Sequence, residues 1–186
     1  MSLVDFLLLD INKEENLNKQ KMEIIKALLK ELETEFNTSK IFMASVPADK
    51  FDWAPHEKSM KMKSLASHVA ELPEWISLAL TTDGLDFATA PYEEKKIESA
   101  DDLTKILEAS YNAGKKELEK ASEESLTERW VLRNGEQILS DSTRYEMIRI
   151  AFSQTAHHRA QLGVYFRLLD IPVPMSYGPT ADYPSF

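Results

Sequence analysis

Three side chains have the types and spacing to do chemistry together: His68, Gln154 and His158. Gln154 and His158 form a Q-x-x-x-H pair inside residues 142–169, a segment with no Pro and one Gly. Residues four apart on a helix are neighbours about 5–6 Å apart. The pair therefore differs by one side chain from the H-x-x-x-H spacing through which one helix offers two imidazoles to a metal ion. The plainer alternative is a hydrogen-bonded core histidine, the commoner fate of a lone His on an apolar stripe. His157 cannot share the task, because successive helical side chains point about 100° apart. It is expected beside Ile150 and Val164 on a flanking face, packing against or bonding a neighbouring helix.

Helices must position these groups. Ile148, Ala151, Thr155, His158, Leu162, Tyr165 and Leu169 recur at alternating spacings of three and four, so a helix over 142–169 turns His158 inward. A helix over 59–80 carries Met62, Leu65, Ala66, Val69, Leu72 and Ile76, with His68 on the same face. Pro73 interrupts it, since its ring crowds the Val69 carbonyl and its nitrogen has no proton to donate. A kink there opens space one turn beyond His68, and Glu71 comes within reach of the same site. The first helix covers 17–44, with Met22, Ile25, Leu28, Leu29, Leu32, Phe36 and Met43 on its apolar side. Residues 1–16 fit two readings, an extension of that helix or an arm on a partner subunit.

Between 46 and 59 the chain reads as a surface loop containing Trp53, Pro55 and His56. Ser99 caps a third helix over 100–121, with Asp101 and Asp102 favoured in its first turn by the helix dipole. Asn134-Gly135, set between Arg129-Trp130-Val131-Leu132-Arg133 and Gln137-Ile138-Leu139, predicts a small β-hairpin over 129–139 between helices three and four. The proline-stiffened Ile171-Pro172-Val173-Pro174 is expected to lie back along the helices. Four amphipathic helices make an all-α four-helix bundle, an architecture that builds metal and cofactor sites from facing helices.

The totals narrow the classes. At 186 residues the chain suits a single domain, 1–186, that buries about 70% of the surface its unfolded form exposes. The absence of Cys excludes disulfides, thiolate ligands and a cysteine nucleophile. A net charge of −9, with only Lys58, Lys61 and Lys63 as a basic group, argues against nucleic acid as a partner. No apolar run approaches the roughly 20 residues that cross a bilayer. Leu3-Val4-Asp5-Phe6-Leu7-Leu8-Leu9 contains an acid and lacks a basic flank, so no membrane segment or signal peptide is expected and the cytoplasm is the default location.

One further set of residues carries a resemblance. Trp53-x-Pro55, Ser59, Leu65-Ala66-x-His68 and Trp75 are followed by His157-His158-Arg159-x-Gln161-Leu162. Then come Tyr165-x-Arg167-Leu168-Leu169-x-Ile171-Pro172-Val173-Pro174 and Tyr177-Gly178-Pro179-Thr180-Ala181-Asp182. Together they resemble the DinB family over nearly the whole chain beyond the first twenty residues or so. The resemblance implies a bundle of up-down-down-up topology, often a homodimer, with a divalent metal, zinc or nickel, held by three His. Those positions fall on His68, Gln154 and His158, so the chain departs from the pattern at 154, where a neutral amide is a poorer donor than imidazole. Three outcomes stay open: weak binding through His68, Gln154 and His158; completion by water or Glu71; or an empty site with Gln154 bonded to the two His.

Relatives of this fold are similar to enzymes that use a low-molecular-weight thiol. The implied function is a metal-dependent enzyme of the thiol S-transferase or hydrolase type, acting on a small molecule. His68 and His158 are the implied ligands, and Gln154 is the third ligand or the orienter of the nucleophile. Tyr165 or Tyr177 forms the substrate wall, so Gln154 and Tyr165 are the catalytic candidates. Arg159 is expected in a surface or dimer salt bridge. The alternative is a non-catalytic dimeric bundle that binds a small molecule or acts in stress response without tightly bound metal.

Overall fold

The computed structural model describes residues 3–90 and 95–185, with side chains from Ile24 onward. The first helix is longer than its apolar stripe suggests: α1 runs Leu3–Ala44, so the N-terminal residues extend it rather than forming a separate arm. Met22, assigned to the stripe, falls among the undescribed side chains. Leu28, Leu32 and Met43 are buried at 3%, 1% and 0% exposure.

Pro73 breaks the second helix outright. α2 covers Met62–Glu71 and α3 covers Glu74–Thr81. Pro73 stands just before α3 with φ −61°, a value the pyrrolidine ring already imposes and a helix start accepts. α4, Ala100–Leu118, packs close beneath this break. A Cβ on Gly114 would lie 2.5 Å from the Pro73 carbonyl oxygen, so only glycine permits the approach. Ser99 caps α4 as expected, its Oγ accepting from the Asp102 amide at 3.2 Å.

The expected hairpin forms, as β2 (Arg129–Asn134) and β3 (Gln137–Thr143), antiparallel, with Gly135 at φ 60° in the turn. An all-α fold is nevertheless an incomplete description. β1, Gly84–Asp86, pairs in parallel with β2 and makes a three-stranded sheet of order β1-β2-β3. A Cβ on Gly84 would sit 2.3 Å from the Val131 oxygen, so glycine allows the pairing. The Asp86 carboxylate secures it by accepting from the amides of Gly135 (2.8 Å) and Ala88 (3.0 Å). Those bonds, Gly135's first, hold Asp86 below the usual carboxylate range.

β3 runs straight into α5, Arg144–Leu168, through a capping box. Thr143 Oγ1 accepts from the Glu146 amide at 3.2 Å, and the Glu146 carboxylate accepts from the Thr143 amide at 2.7 Å. Two apolar clusters hold the helices together. One gathers Met43, Met62, Leu65, Val69, Leu107, Leu162 and Phe166; the other gathers Leu28, Leu32, Ile76, Leu118, Trp130, Ile148 and Phe152. The first fixes the faces of α2 and α5 that carry the histidines. Among the described residues no helix is long and apolar enough to cross a membrane.

Candidate functional site

His68 sits between buried Leu65 and Val69 on α2, and His158 between buried Thr155 and Leu162 on α5. Packing of those stripes brings the two imidazoles together, ring centroids 4.5 Å apart and planes at 80°. Both rings are half-buried. Burial, and then the neighbouring His158, lowers the His68 pKa from its ordinary 6.5, which keeps that ring neutral at neutral pH.

A second amide, one that the spacing argument passed over, organises the pair. Gln161 Oε1 lies 3.1 Å from His158 Nδ1, and Gln161 Nε2 lies 3.0 Å from His157 Nε2. An amide oxygen can only accept and an amide nitrogen can only donate. With the amide so placed, His158 Nδ1 donates to Gln161 and His157 Nε2 accepts from it. A carbonyl-type oxygen on the N–H of an imidazole is how metal-binding histidines are commonly oriented. His157 does lie on the flanking face, but it bonds within its own helix and is exposed. Ile150 and Val164 are exposed beside it, at 38% and 58%, so that face meets no neighbouring helix among the described residues.

Gln154 is exposed, and among the described residues it makes no hydrogen bond to either imidazole. Among the described residues no group of three His, Asp or Glu side chains could hold a metal ion. Of the three expected ligands, the described residues bring together the imidazoles of His68 and His158, and Gln154 bonds to neither.

A cavity of about 280 Å³ opens against His68, lined by Met60, Lys63, Ser64, Ser67, His68, Glu71, Lys95 and Ile97. Glu71 is where the helix spacing puts it, its Oε1 accepting from Ser67 Oγ at 3.4 Å and facing Lys95 Nζ at 3.5 Å. Tyr165 is buried at 7% exposure and donates its hydroxyl to the Met60 carbonyl at 3.0 Å. Its ring meets Trp53 edge-on at 5.4 Å, so it braces the cavity wall from behind.

Arg159 corrects the surface expectation. It is 1% exposed, with Nη2 standing 2.7 Å from Glu35 Oε2 and Nη1 donating to Ser39 Oγ at 3.0 Å and to the Glu35 carbonyl at 3.3 Å. Tyr177 joins from the tail, accepting from Arg159 at 3.0 Å and donating to Glu35 Oε1 at 3.0 Å. Asp182 fastens the same tail by accepting from Arg167 and, at 2.9 Å, from the Val173 amide. The tail lies back along the helices as expected. A signal for the buried arginine was present: Glu35 and Ser39 interrupt the Leu28, Leu32, Met43 stripe, and two polar groups on a buried face require a partner.

With this geometry established, comparison with known proteins is informative. Among solved structures, a DinB-like protein from Bacillus subtilis aligns at TM-score 0.64 and 17% identity, covering 81% of this chain and 97% of that one. A DinB-like protein from Bacillus cereus aligns at TM-score 0.64 and 14% identity, covering 82% of this chain and 97% of that one. At such identities the likeness speaks for the fold alone. No match was found among the curated proteins. The DinB family model matches residues 12–185, from within α1 to the end of the tail, and on that evidence the chain belongs to the DinB family.

Proposed function

We propose that this DinB-family chain is a small-molecule enzyme of the thiol S-transferase or hydrolase type, with His68 and His158 as its reacting centre. The helices α1, α2–α3, α4 and α5 serve in this reading as the four members of an up-down-down-up bundle. The observation that carries it is the pair of imidazoles meeting at 4.5 Å beside a cavity that reaches His68. His68 and His158, with Gln154, Glu71 or water, would hold a zinc or nickel ion, which would supply Lewis-acid chemistry to a thiol or water.

The chain's own groups have separate tasks. His68, kept neutral by burial, offers a lone pair as donor or proton acceptor. Gln161 holds the His158 tautomer. Met60 and Ile97 give the cavity its apolar wall, and Tyr165 fixes Met60 from behind. A cytoplasmic homodimer belongs to the same proposal, supported by exposed Ile150, Val164 and Leu168 along one side of α5.

A second reading, a binding bundle without catalysis, is favoured by the exposure of Gln154, which among the described residues bonds to neither imidazole. An activity screen separates the two. The full chain, given one equivalent of Zn²⁺ or Ni²⁺, is assayed with low-molecular-weight thiols against an electrophilic acceptor and with chromogenic esters. Metal-dependent turnover that falls about 100-fold or more in His68→Ala is the expected result. No turnover with either metal, or turnover indifferent to His68→Ala, overturns the proposal in favour of the second reading.

A further inference from the structure

Polarity is sorted along the cavity. Lys63 and Ser64, then Ser67 and His68, then Glu71 follow at helical spacing, so the cavity tracks one face of α2. At its C-terminal end the charge is already answered. Glu71 accepts from Ser67 at 3.4 Å and pairs with Lys95 at 3.5 Å, which Glu74 also approaches to 3.5 Å.

The N-terminal end is different. Among the described residues Lys63 makes no ion pair, and nearby Asp52 is bonded instead to Lys61 at 2.7 Å. Ser64 is exposed, and among the described residues its hydroxyl makes no hydrogen bond. The first amides of α2 are no part of this, because Met62 N donates to the Trp53 carbonyl at 2.8 Å and Lys63 N to the Phe51 carbonyl at 3.0 Å. What a ligand meets there, among the described residues, is an ammonium that makes no ion pair, with only a weak longer-range attraction to Asp52, and an exposed hydroxyl that makes no hydrogen bond. In a chain of net charge −9, a cation on a cavity wall that makes no ion pair among the described residues is a local attractor for anions.

We infer that the substrate of this site carries an anionic head group, a carboxylate or a phosphate, set against Lys63 Nζ and Ser64 Oγ. Ser64 precedes His68 by four residues, so the head group lies roughly 6 Å along the helix axis from the reacting end. A flexible spacer of about four atoms covers that distance. Charge-assisted hydrogen bonds from the ammonium hold the anion, and a neutral analogue forfeits them. This assignment of the reacting end rests on the function proposed above; the anion subsite itself does not.

The test is a titration of the full chain, without added metal and at constant ionic strength, with succinate, inorganic phosphate and neutral succinamide. The ¹H–¹⁵N resonances of the His68 ring report binding. Succinate or phosphate is expected to shift them saturably and succinamide is not, and the tighter of the two anions identifies the head group. Lys63→Met weakens binding about tenfold or more, Ser64→Ala weakens it less, and Lys116→Met on α4 changes nothing. Succinamide binding as tightly as succinate, Lys63→Met binding like the wild type, or no response of His68 to either anion overturns the inference. Neither turnover nor metal enters the readout. An inactive chain that still binds succinate through Lys63 therefore defeats the enzyme reading alone, and an active chain indifferent to Lys63→Met defeats only the anion subsite.

Discussion

His158 and Arg159 are consecutive residues of α5, yet they head two polar clusters of opposite character. Arg159 is 1% exposed and faces Glu35, Ser39 and Tyr177, so its donors are spent on the protein itself. His158 is half-buried, with Nδ1 answered by Gln161 and, among the described residues, no hydrogen bond at Nε2, and its ring meets another imidazole that lines a cavity. Burial alone would rank the arginine as the more important residue. Unspent valence beside a cavity ranks the histidine as the reactive one. The contrast teaches that a paired buried charge is architecture, and that chemistry belongs where a donor or acceptor is held beside open space.

The largest effect should come from breaking the closed cluster. Arg159→Met leaves Glu35, whose side chain is 9% exposed, without its cation. Removing one member of a buried pair costs about 3–5 kcal/mol, readable by denaturant titration. The double variant Arg159→Met with Glu35→Leu should recover most of that loss. A single variant within about 1 kcal/mol of wild type would make the cluster decorative and dissolve the comparison.

The open cluster should respond in affinity rather than stability. Gln161→Leu frees the His158 tautomer, so divalent-cation binding is expected to weaken about 10–100-fold. Thermal unfolding should barely move, and ¹⁵N NMR should show His158 in mixed tautomers. Unchanged affinity with a mixed tautomer would remove Gln161 from the site.

The smallest effects lie in pH, where the clusters fail at opposite ends of the scale. His68 titrates below 6.5 when folded, so the unfolded chain takes up that proton first as the solution is acidified. Its contribution is constant above 6.5 and stability falls as pH drops from there toward the folded value. Tyr177 is 68% exposed as a residue, but partial desolvation of its hydroxyl, which sits between Arg159 and Glu35, raises it above its ordinary 10.0, so the unfolded chain loses that proton first. Stability then falls as pH climbs above 10. His68→Gln should flatten the acid arm of a melting-temperature profile and Tyr177→Phe the alkaline arm; an exchange of those effects would reverse the assignment.

Much of the site was legible because helical period carries direction. Spacing alone turned His68 and His158 inward, put Glu71 near them and located the break at Pro73. Gln154 shows what spacing leaves undecided: it stands four residues from His158, yet it is exposed and, among the described residues, bonds to neither imidazole. Gln161 was missed because its role depends on side-chain torsions that bridge two rings, which no spacing rule encodes. β1 was missed because three residues show no period, and its pairing with β2 is decided by Gly84 against Val131, far apart in sequence. Arg159 was misplaced because exposed arginine is the common case. Glu35 and Ser39 on an apolar stripe were the available warning.

The central claim is that α2 and α5 bring two imidazoles to a shared centre able to take a divalent cation. Calorimetric titration of Zn²⁺ into the full chain tests it most directly, alongside His68→Ala, His158→Ala and Gln154→His. The account predicts one site in the wild type, lost in either alanine variant and tightened about tenfold or more when the third imidazole is supplied. Zinc uptake that survives without His68 and His158, or none in the wild type and in Gln154→His alike, would contradict it.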